Sequence, residues 1–444
     1  QMRPFSFIDA LLSVAICCPA LPFAKGMLTP EGFTKIQPGG IDALKITEEN
    51  TLNSSTGTIT RQDLVGAALP IKFVNNYNGG AVNAYISGLD PNGAVVFVAS
   101  NGSLIYPSSG GSIVPVQVTQ NIAIPMASSG HTLELTLPIS MSSGRIYFSE
   151  GAMSFYMMSI GTGDCLVQPS FTNLQDANVG LKWGFVEFTY TGGIIYANIS
   201  YVDFVGMILG ILLTATDGTT QSAAGLKADS VINICNDLVT QTGTDGYPWS
   251  SMCLANTTGT PIRVLSPGNF YYLNADAFAK YWHSYVDQVW AQYTTSILTI
   301  NTQTDYRDVS CTVSGDELVC SGDNRGYVKP SANDIWGCNT GPFAIMDGDN
   351  TIHKAVVPRL CAAFARSTLL LDGGNVQPSL NSASYYTIDP TNHYSRVIHQ
   401  YEVDGKGYAF PYDDVNPDGN ENASGIVSSG NVANLTIYIG APPS

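Results

Sequence analysis

The chain has 444 residues, 44% of them hydrophobic and only 12% charged, which is enough to bury a large core but long for one compact domain, so two domains are expected. Asp and Glu number 35 against 19 Lys and Arg, a formal charge of -16; with no Lys/Arg-rich block, this argues against nucleic acid as a partner. Gly, Tyr and Pro stand at 44, 23 and 24, and many short apolar runs between polar loops favour a largely β protein.

Residues 1–24 carry a basic residue, an apolar stretch and then small residues, the layout of a secretion signal ending near Ala20 or Ala24. Asp9 is out of keeping with that layout, and the alternative is a core segment that stays in the chain. Export is the expectation. Six Asn-x-Ser/Thr triplets, at Asn53, Asn101, Asn198, Asn256, Asn422 and Asn434, agree with a secreted glycoprotein. Of nine cysteines, Cys17 and Cys18 leave with the signal. Close spacing pairs Cys235 with Cys253 and Cys311 with Cys320; Cys338 with Cys361 completes the set and Cys165 is left free. No Cys-x-x-Cys pair occurs and the five histidines are scattered, so no metal site is expected.

Residues 25–64 are polar, punctuated by Pro and Gly, and read as an extended arm. From 65 to 215 a β-barrel or sandwich domain is expected, because runs such as LPIKFVNNY, VNAYISGL, HTLELTLP and GRIYFSEG alternate or stay apolar over four to eight residues. The apolar run Val205–Ala215 is too short to span a bilayer and reads as a buried strand; no membrane contact is expected. Residues 216–394 form a mixed α/β domain. SAAGLKADSVINICNDLVTQ, NADAFAKYWHSYVDQVWAQY and AVVPRLCAAFARSTLLL carry helical periodicity or length, and Phe278, Trp282, Tyr285, Val289 and Tyr293 make a core-facing stripe. The tail, 395–442, returns to strand chemistry from YSRVIHQYEVDGKGYAFPYDDV onward and is expected to complete the first β domain.

Nucleophile elbows, phosphate loops, dinucleotide fingerprints and His-Glu-x-x-His are all missing from the sequence. Carboxylates remain, and residues 183–206, WGFVEFTYTGGIIYANISYVDFVG, place two of them in strand-like runs on either side of a Gly-Gly turn. Trp183, Phe185, Glu187 and Thr189 share one strand face, combining aromatic planes, an acid and a hydroxyl. Sugars are bound by that mixture, since ring C–H faces pack on aromatics while hydroxyls need polar partners. In a plain hairpin Glu187 faces about Asn198, and Asp203 lies five residues further on the opposite face, so a bulge or bend must re-aim it if the two act together.

At these residues the chain resembles the fungal branch of glycoside hydrolase family 64, thaumatin-like endo-β-1,3-glucanases related to laminaripentaose-producing enzymes. WGFVEFTY, the sixteen-residue step to YVDFVG, and the later GDNRGY, VVPRLCAAF, GGNVQP and YEVDGKGYAFPYDD carry the resemblance over about residues 35–442. It implies a β-barrel domain and a mixed α/β domain forming a crescent with a wide groove. It also implies an inverting mechanism without cofactor, with Glu187 as general acid and Asp203 as general base. Trp183, Thr189, Arg145, Glu150, Tyr408, Asp413 and Asp414 are the substrate-binding candidates. The expected partner is β-1,3-glucan, acted on by a secreted monomer. The alternatives are a non-catalytic glucan-binding or defence-type protein and, last, a structural wall protein; fold alone does not separate them.

Overall fold

The computed structural model describes residues 27–29, 31–54, 68–417 and 424–442. The expected leader with Cys17 and Cys18, residues 55–64 of the arm and the Asn422 triplet lie outside the described residues.

Two sheets dominate the first β region. The larger has eight strands, in the order Val427–Ser429, Ile194–Ile199, Trp183–Thr191, Met141–Glu150, Val82–Leu89, Val95–Val98 and Leu104–Ile105, with Ile124–Pro125 paired beside Val82–Leu89. The smaller orders Thr132–Leu137, Leu69–Asn75, Val432–Ile439, Leu209–Ala215 and Thr220–Ala223. Strand alternation sorts the two faces of the larger sheet. Val186, Phe188 and Tyr190, with Ile146, Phe148, Ala197 and Ile199 across from them or beside them, are buried, and Phe148 meets Phe73 of the smaller sheet edge-on at 5.0 Å. The other face carries Tyr85, Ser87, Arg145, Tyr147, Phe185, Glu187, Thr189 and Tyr196 in matched register. One face therefore builds the core and the other offers polar and aromatic chemistry.

The run expected as a buried strand forms one at Leu209–Ala215. The strand Phe204–Val205 pairs with Pro261–Leu265, which pairs in turn with Cys253–Ala255 and, through it, with Thr34–Lys35 of the arm. A sheet thus crosses the expected boundary at residue 215. Helices form at Ser230–Asp245, His283–Thr295 and Thr351–Ala365. The second starts later than its spacing predicts, because Phe278 and Tyr281, three residues apart, both turn into an aromatic cluster with Trp249 and Trp336. All five residues of the stripe from Phe278 to Tyr293 are buried.

The tail corrects the strand expectation. Residues His393–Tyr401 form a helix, capped by the Asn392 side chain accepting from Ser395 N at 3.1 Å and burying Tyr394, Val397 and Ile398 at helical spacing. Among the described residues of the tail, the strands are Val427–Ser429 and Val432–Ile439. Disulfides join Cys235–Cys253, Cys311–Cys320 and Cys338–Cys361, and Cys165 is a buried free thiol. Asn198 is buried in its strand, so a glycan at that triplet is incompatible with the fold.

Two glycines test this packing in opposite directions. A Cβ on Gly206 would lie 2.1 Å from the Trp183 carbonyl oxygen, and neither backbone can yield. Gly206→Ala is expected to destabilise the fold by about 1–3 kcal/mol. Gly243, in the helix Ser230–Asp245, has nothing within 4 Å of that position, and Gly243→Ala is expected to stabilise by about 1 kcal/mol. Urea unfolding midpoints of the two variants measure both.

Candidate active site

The strands Trp183–Thr191 and Ile194–Ile199 meet in a two-residue turn, with φ of 61° at Gly192 and 79° at Gly193. Two successive positive φ angles give the type I′ turn whose twist suits a hairpin. This fixes the register that sets Glu187 opposite Asn198 on one side and Arg145 on the other. Arg145 Nη2 donates to Glu187 Oε1 at 3.3 Å, its Nη1 donates to Gln168 Oε1 at 3.2 Å, and its guanidinium lies over the Phe185 ring at 4.6 Å. Burial works against that cation, but Tyr147, Glu187 and Asp203 around it outweigh the cost and hold it charged.

Asp203 reaches the same neighbourhood because the second strand stops following the first. Ile199 is paired with Val186, whereas Met207 N donates to the Trp183 carbonyl at 2.9 Å. Eight residues on one strand against three on the other leave an excursion of five. Tyr201 N is bound by the Tyr408 carbonyl at 2.7 Å at the start of this excursion. At its apex the Asp203 carbonyl accepts from Ser266 N at 2.9 Å, and Asn269 Nδ2 donates to Asp203 Oδ1 at 3.2 Å. Burial pushes the Asp203 carboxyl up to about 6; Arg145 opposes the rise, the charge on Glu187 adds to it and Asn269 opposes it. The bend thus supplies what the strand register alone denied, an electrostatic encounter of Asp203, Glu187 and Arg145.

A further carboxyl, Glu49 on the arm, accepts from Thr172 Oγ1 at 2.8 Å and from Ser170 Oγ, and it feels the Asp203 charge. Glu49, Gln168, Ser170, Thr172 and Asn269 were not legible as site residues. The one available signal was the pair of adjacent acids at 48 and 49.

The remaining candidates divide. Thr189 is half-buried on the Glu187 face, with Tyr196 opposite. Trp183 is no sugar platform: it is 1% exposed, because Phe204 of the excursion covers it edge-on at 4.7 Å and the Arg263 guanidinium covers it at 5.0 Å. Glu150 does not join Glu187; it accepts from Tyr77 Oη at 2.5 Å and Gly80 N at 2.8 Å and braces that turn at the far end of its strand. Asp413 is 1% exposed and accepts from Arg366 Nη2 at 3.0 Å and His399 Nε2 at 3.0 Å, so it is a buried ion-pair partner, unavailable to substrate. Burial raises the Asp413 carboxyl, but His399 and Arg366 outweigh it and hold it low. Tyr408 is half-buried and hydrogen-bonded to the exposed Asp414; Tyr408 meets the excursion through its backbone carbonyl.

Among the described residues, no group of three or more His, Cys, Asp or Glu side chains is arranged to hold a metal ion, and no helix is long and apolar enough to cross a membrane.

A family model described as Beta-1,3-glucanase (Glyco_hydro_64) matches residues 67–439. A glucan endo-1,3-beta-glucosidase of Cellulosimicrobium cellulans is 28% identical over 291 residues, covering 63% of this chain and 50% of that protein. The chain therefore spans about half the length of the curated relatives it matches. Among solved structures, a laminaripentaose-producing beta-1,3-glucanase in complex with laminaritetraose aligns with a TM-score of 0.73 at 27% identity, over 85% of this chain and 99% of that one. A beta-1,3-glucanase domain from Clostridium beijerinckii aligns with a TM-score of 0.65 at 22% identity, over 85% and 99% respectively, a likeness of fold. With a match running from the first strand of the smaller sheet to the strand that completes it, the chain belongs to glycoside hydrolase family 64, the beta-1,3-glucanases.

Proposed function

We propose that the chain is a secreted, monomeric endo-β-1,3-glucanase that cleaves laminarin-type and fungal cell-wall glucan with inversion, using Glu187 and Asp203. The observation that carries this reading is the meeting of those two carboxyls around Arg145, one on a strand and one on an excursion, inside a chain of this family. Three disulfides and the signal-like start of the sequence support export. The polar face of the eight-stranded sheet, opposed by the segment around Asn269, supports a thaumatin-like crescent whose groove admits a glucan chain.

In this mechanism Glu187 gives its proton to the glycosidic oxygen as the C–O bond breaks. Water attacks the anomeric carbon from the opposite face and passes a proton to Asp203. Room for that water requires carboxyls about 6.5–9.5 Å apart. Arg145 contacts Glu187 at 3.3 Å in the substrate-free chain, an ion pair that bound glucan must loosen before Glu187 delivers a proton. Asn269 holds one oxygen of Asp203 and so orients the base. Thr189 and Tyr196, on the Glu187 face, meet sugar hydroxyls and ring faces; Tyr408 and Asp414 are assigned to the far wall of the groove.

Three measurements test the reading. Proton NMR of early laminarin digestion is expected to show α-anomers first, with Glu187→Gln and Asp203→Asn each lowering kcat by about 10²–10⁴. Wild type that binds laminarin without releasing reducing ends would instead mark a glucan-binding protein. The roles separate on an aryl laminarioside with a good leaving group, where Glu187→Gln should regain most of its lost rate and Asp203→Asn should not; the reverse result exchanges acid and base. The sign of the pH dependence gives the same answer independently: a base must be ionised, so kcat/KM should rise as pH climbs through about 6, the value to which burial pushes Asp203, whereas an acid there would make it fall.

A further inference from the structure

Asp203 stands two residues beyond Tyr201, and the backbone on both sides of Tyr201 is held by the tail of the chain. Tyr201 N donates to the Tyr408 carbonyl at 2.7 Å. The Tyr201 carbonyl accepts from Tyr394 Oη at 2.6 Å, across 193 residues of sequence. That N–H belongs to the peptide plane before Tyr201 and the carbonyl to the plane after it, so the two bonds together fix both soft dihedrals of the residue. Beyond it, the Asp203 carbonyl accepts from Ser266 N at 2.9 Å. Val202 alone separates the two fixed points.

The hydroxyl at 394 is placed by packing. Tyr394 is 0% exposed on the helix His393–Tyr401, and burial, with the Asp203 charge adding to it, pushes its phenol well above the ordinary range. It therefore stays protonated, a donor, through the neutral range. Ser395 and His399, four apart on the same helix, share a face turned to the segment that carries Tyr408. Ser395 Oγ donates to the Ala409 carbonyl at 3.0 Å, and His399 Nε2 meets Asp413 Oδ2 at 3.0 Å. The same Asp413 oxygen accepts from Ala409 N at 2.9 Å, while the other accepts from Arg366 Nη2 at 3.0 Å. The ion pairs of Asp413 thus tie the Tyr394 hydroxyl and the Tyr408 carbonyl into one body.

We infer that Tyr394 is a positioning residue of the active site: with the Tyr408 carbonyl it clamps Tyr201, the foot of the excursion, and so sets the direction in which Asp203 projects. This rests on the reading of Asp203 as general base. With phenylalanine at 394 the ring still fills its place, but the Tyr201 carbonyl loses its donor and the peptide beyond it is free to turn, carrying Asp203 with it. Arg145, Glu187, Asn269 and Glu49, which act on or feel the Asp203 carboxyl, lie on other elements and keep their own partners. The effect is therefore confined to the base.

Kinetics of the full chain on laminarin test this. Tyr394→Phe is expected to lower kcat by about 10-fold to 100-fold with KM within about twofold of wild type, as misplacement of a reacting group does. On an aryl laminarioside with a good leaving group the loss should persist, because the acid step is not the one impaired. In an Asp203→Asn background the same substitution should cost nothing further, since a residue that acts only through Asp203 is non-additive with it. Ser395→Ala, which cuts one tie between the helix and the Tyr408 segment, should lower kcat in the same direction and decides the matter if Tyr394→Phe does not fold. Carboxyl carbon-13 NMR reads the position without activity: the Asp203 midpoint, about 6 in wild type, should fall by about one pH unit in Tyr394→Phe as the released carboxyl meets water. An unchanged kcat, an equal loss in the Asp203→Asn background, or an unmoved midpoint overturns the inference. A fully active Asp203→Asn sinks the base reading instead, and the midpoint still decides whether Tyr394 holds that carboxyl in place.

Discussion

Five residues that do not fit the hairpin set the electrostatics of the candidate site. A regular strand following Trp183–Thr191 would carry Asp203 past the end of its partner and onto the apolar face. The excursion between Ile199 and Met207 prevents this, and it is held at both ends by backbone bonds, from Tyr201 N to the Tyr408 carbonyl and from Met207 N to the Trp183 carbonyl. Its return is close enough that only glycine fits at 184 and 206, where an added Cβ would meet the Met207 or Trp183 carbonyl. The excursion also carries Phe204, which covers Trp183, so one detour both seals the end of the polar face and delivers an acid to it. The chain beyond residue 215 supplies the support through Ser266 and Asn269, making the site a joint product of the two regions.

Electrostatics then divides the acids by what surrounds them. Asp203 is pushed upward by burial that one shared guanidinium and one amide do not offset. Asp413 is also buried, yet Arg366 and His399 face it directly and hold it low, while burial of His399 is outweighed by Asp413 and Glu402, which push the imidazole up to about 10. The second group is a closed ion-pair network in which every charge has an opposite neighbour. Such networks lock structure. The first leaves proton affinity unsatisfied next to a polar sheet face, and that imbalance is what acid–base catalysis draws on. His353, between Asp323 and Asp349 with Arg325 beside it, belongs to the locking kind.

What could be read from the sequence was local. Alternation along WGFVEFTY gave the correct face for Glu187 and Thr189, the Gly-Gly pair gave the turn, and short separations gave two of the disulfides, the third following as the pair that completes the set. The same alternation placed Trp183 on the polar face correctly but could not reveal that Phe204 folds over it. Asp413 looked like a groove acid because its partners, Arg366 and His399, are 47 and 14 residues away and no pattern links them. Strand-like composition in YSRVIHQYEV hid a helix whose buried residues, Tyr394, Val397 and Ile398, are spaced for a helix face. Glu49 was hidden for the most general reason: its hydroxyl partners lie 121 and 123 residues away, and an arm of short strands and single turns has no period to read.

The strand Val432–Ile439 sits between Leu69–Asn75 and Leu209–Ala215, parallel to the first and antiparallel to the second. Without it, the smaller sheet is two separate strand pairs. Each half presents an open edge with apolar residues such as Ile71 and Phe73, or Ile211 and Leu213, awaiting a partner. Synthesis of the intervening residues takes on the order of tens of seconds at typical ribosomal rates. During that interval the two edges can join each other out of order or recruit a neighbouring chain. Completion of the core is therefore a late event in the life of the polypeptide, and its success depends on how well those edges are kept apart until the closing strand emerges.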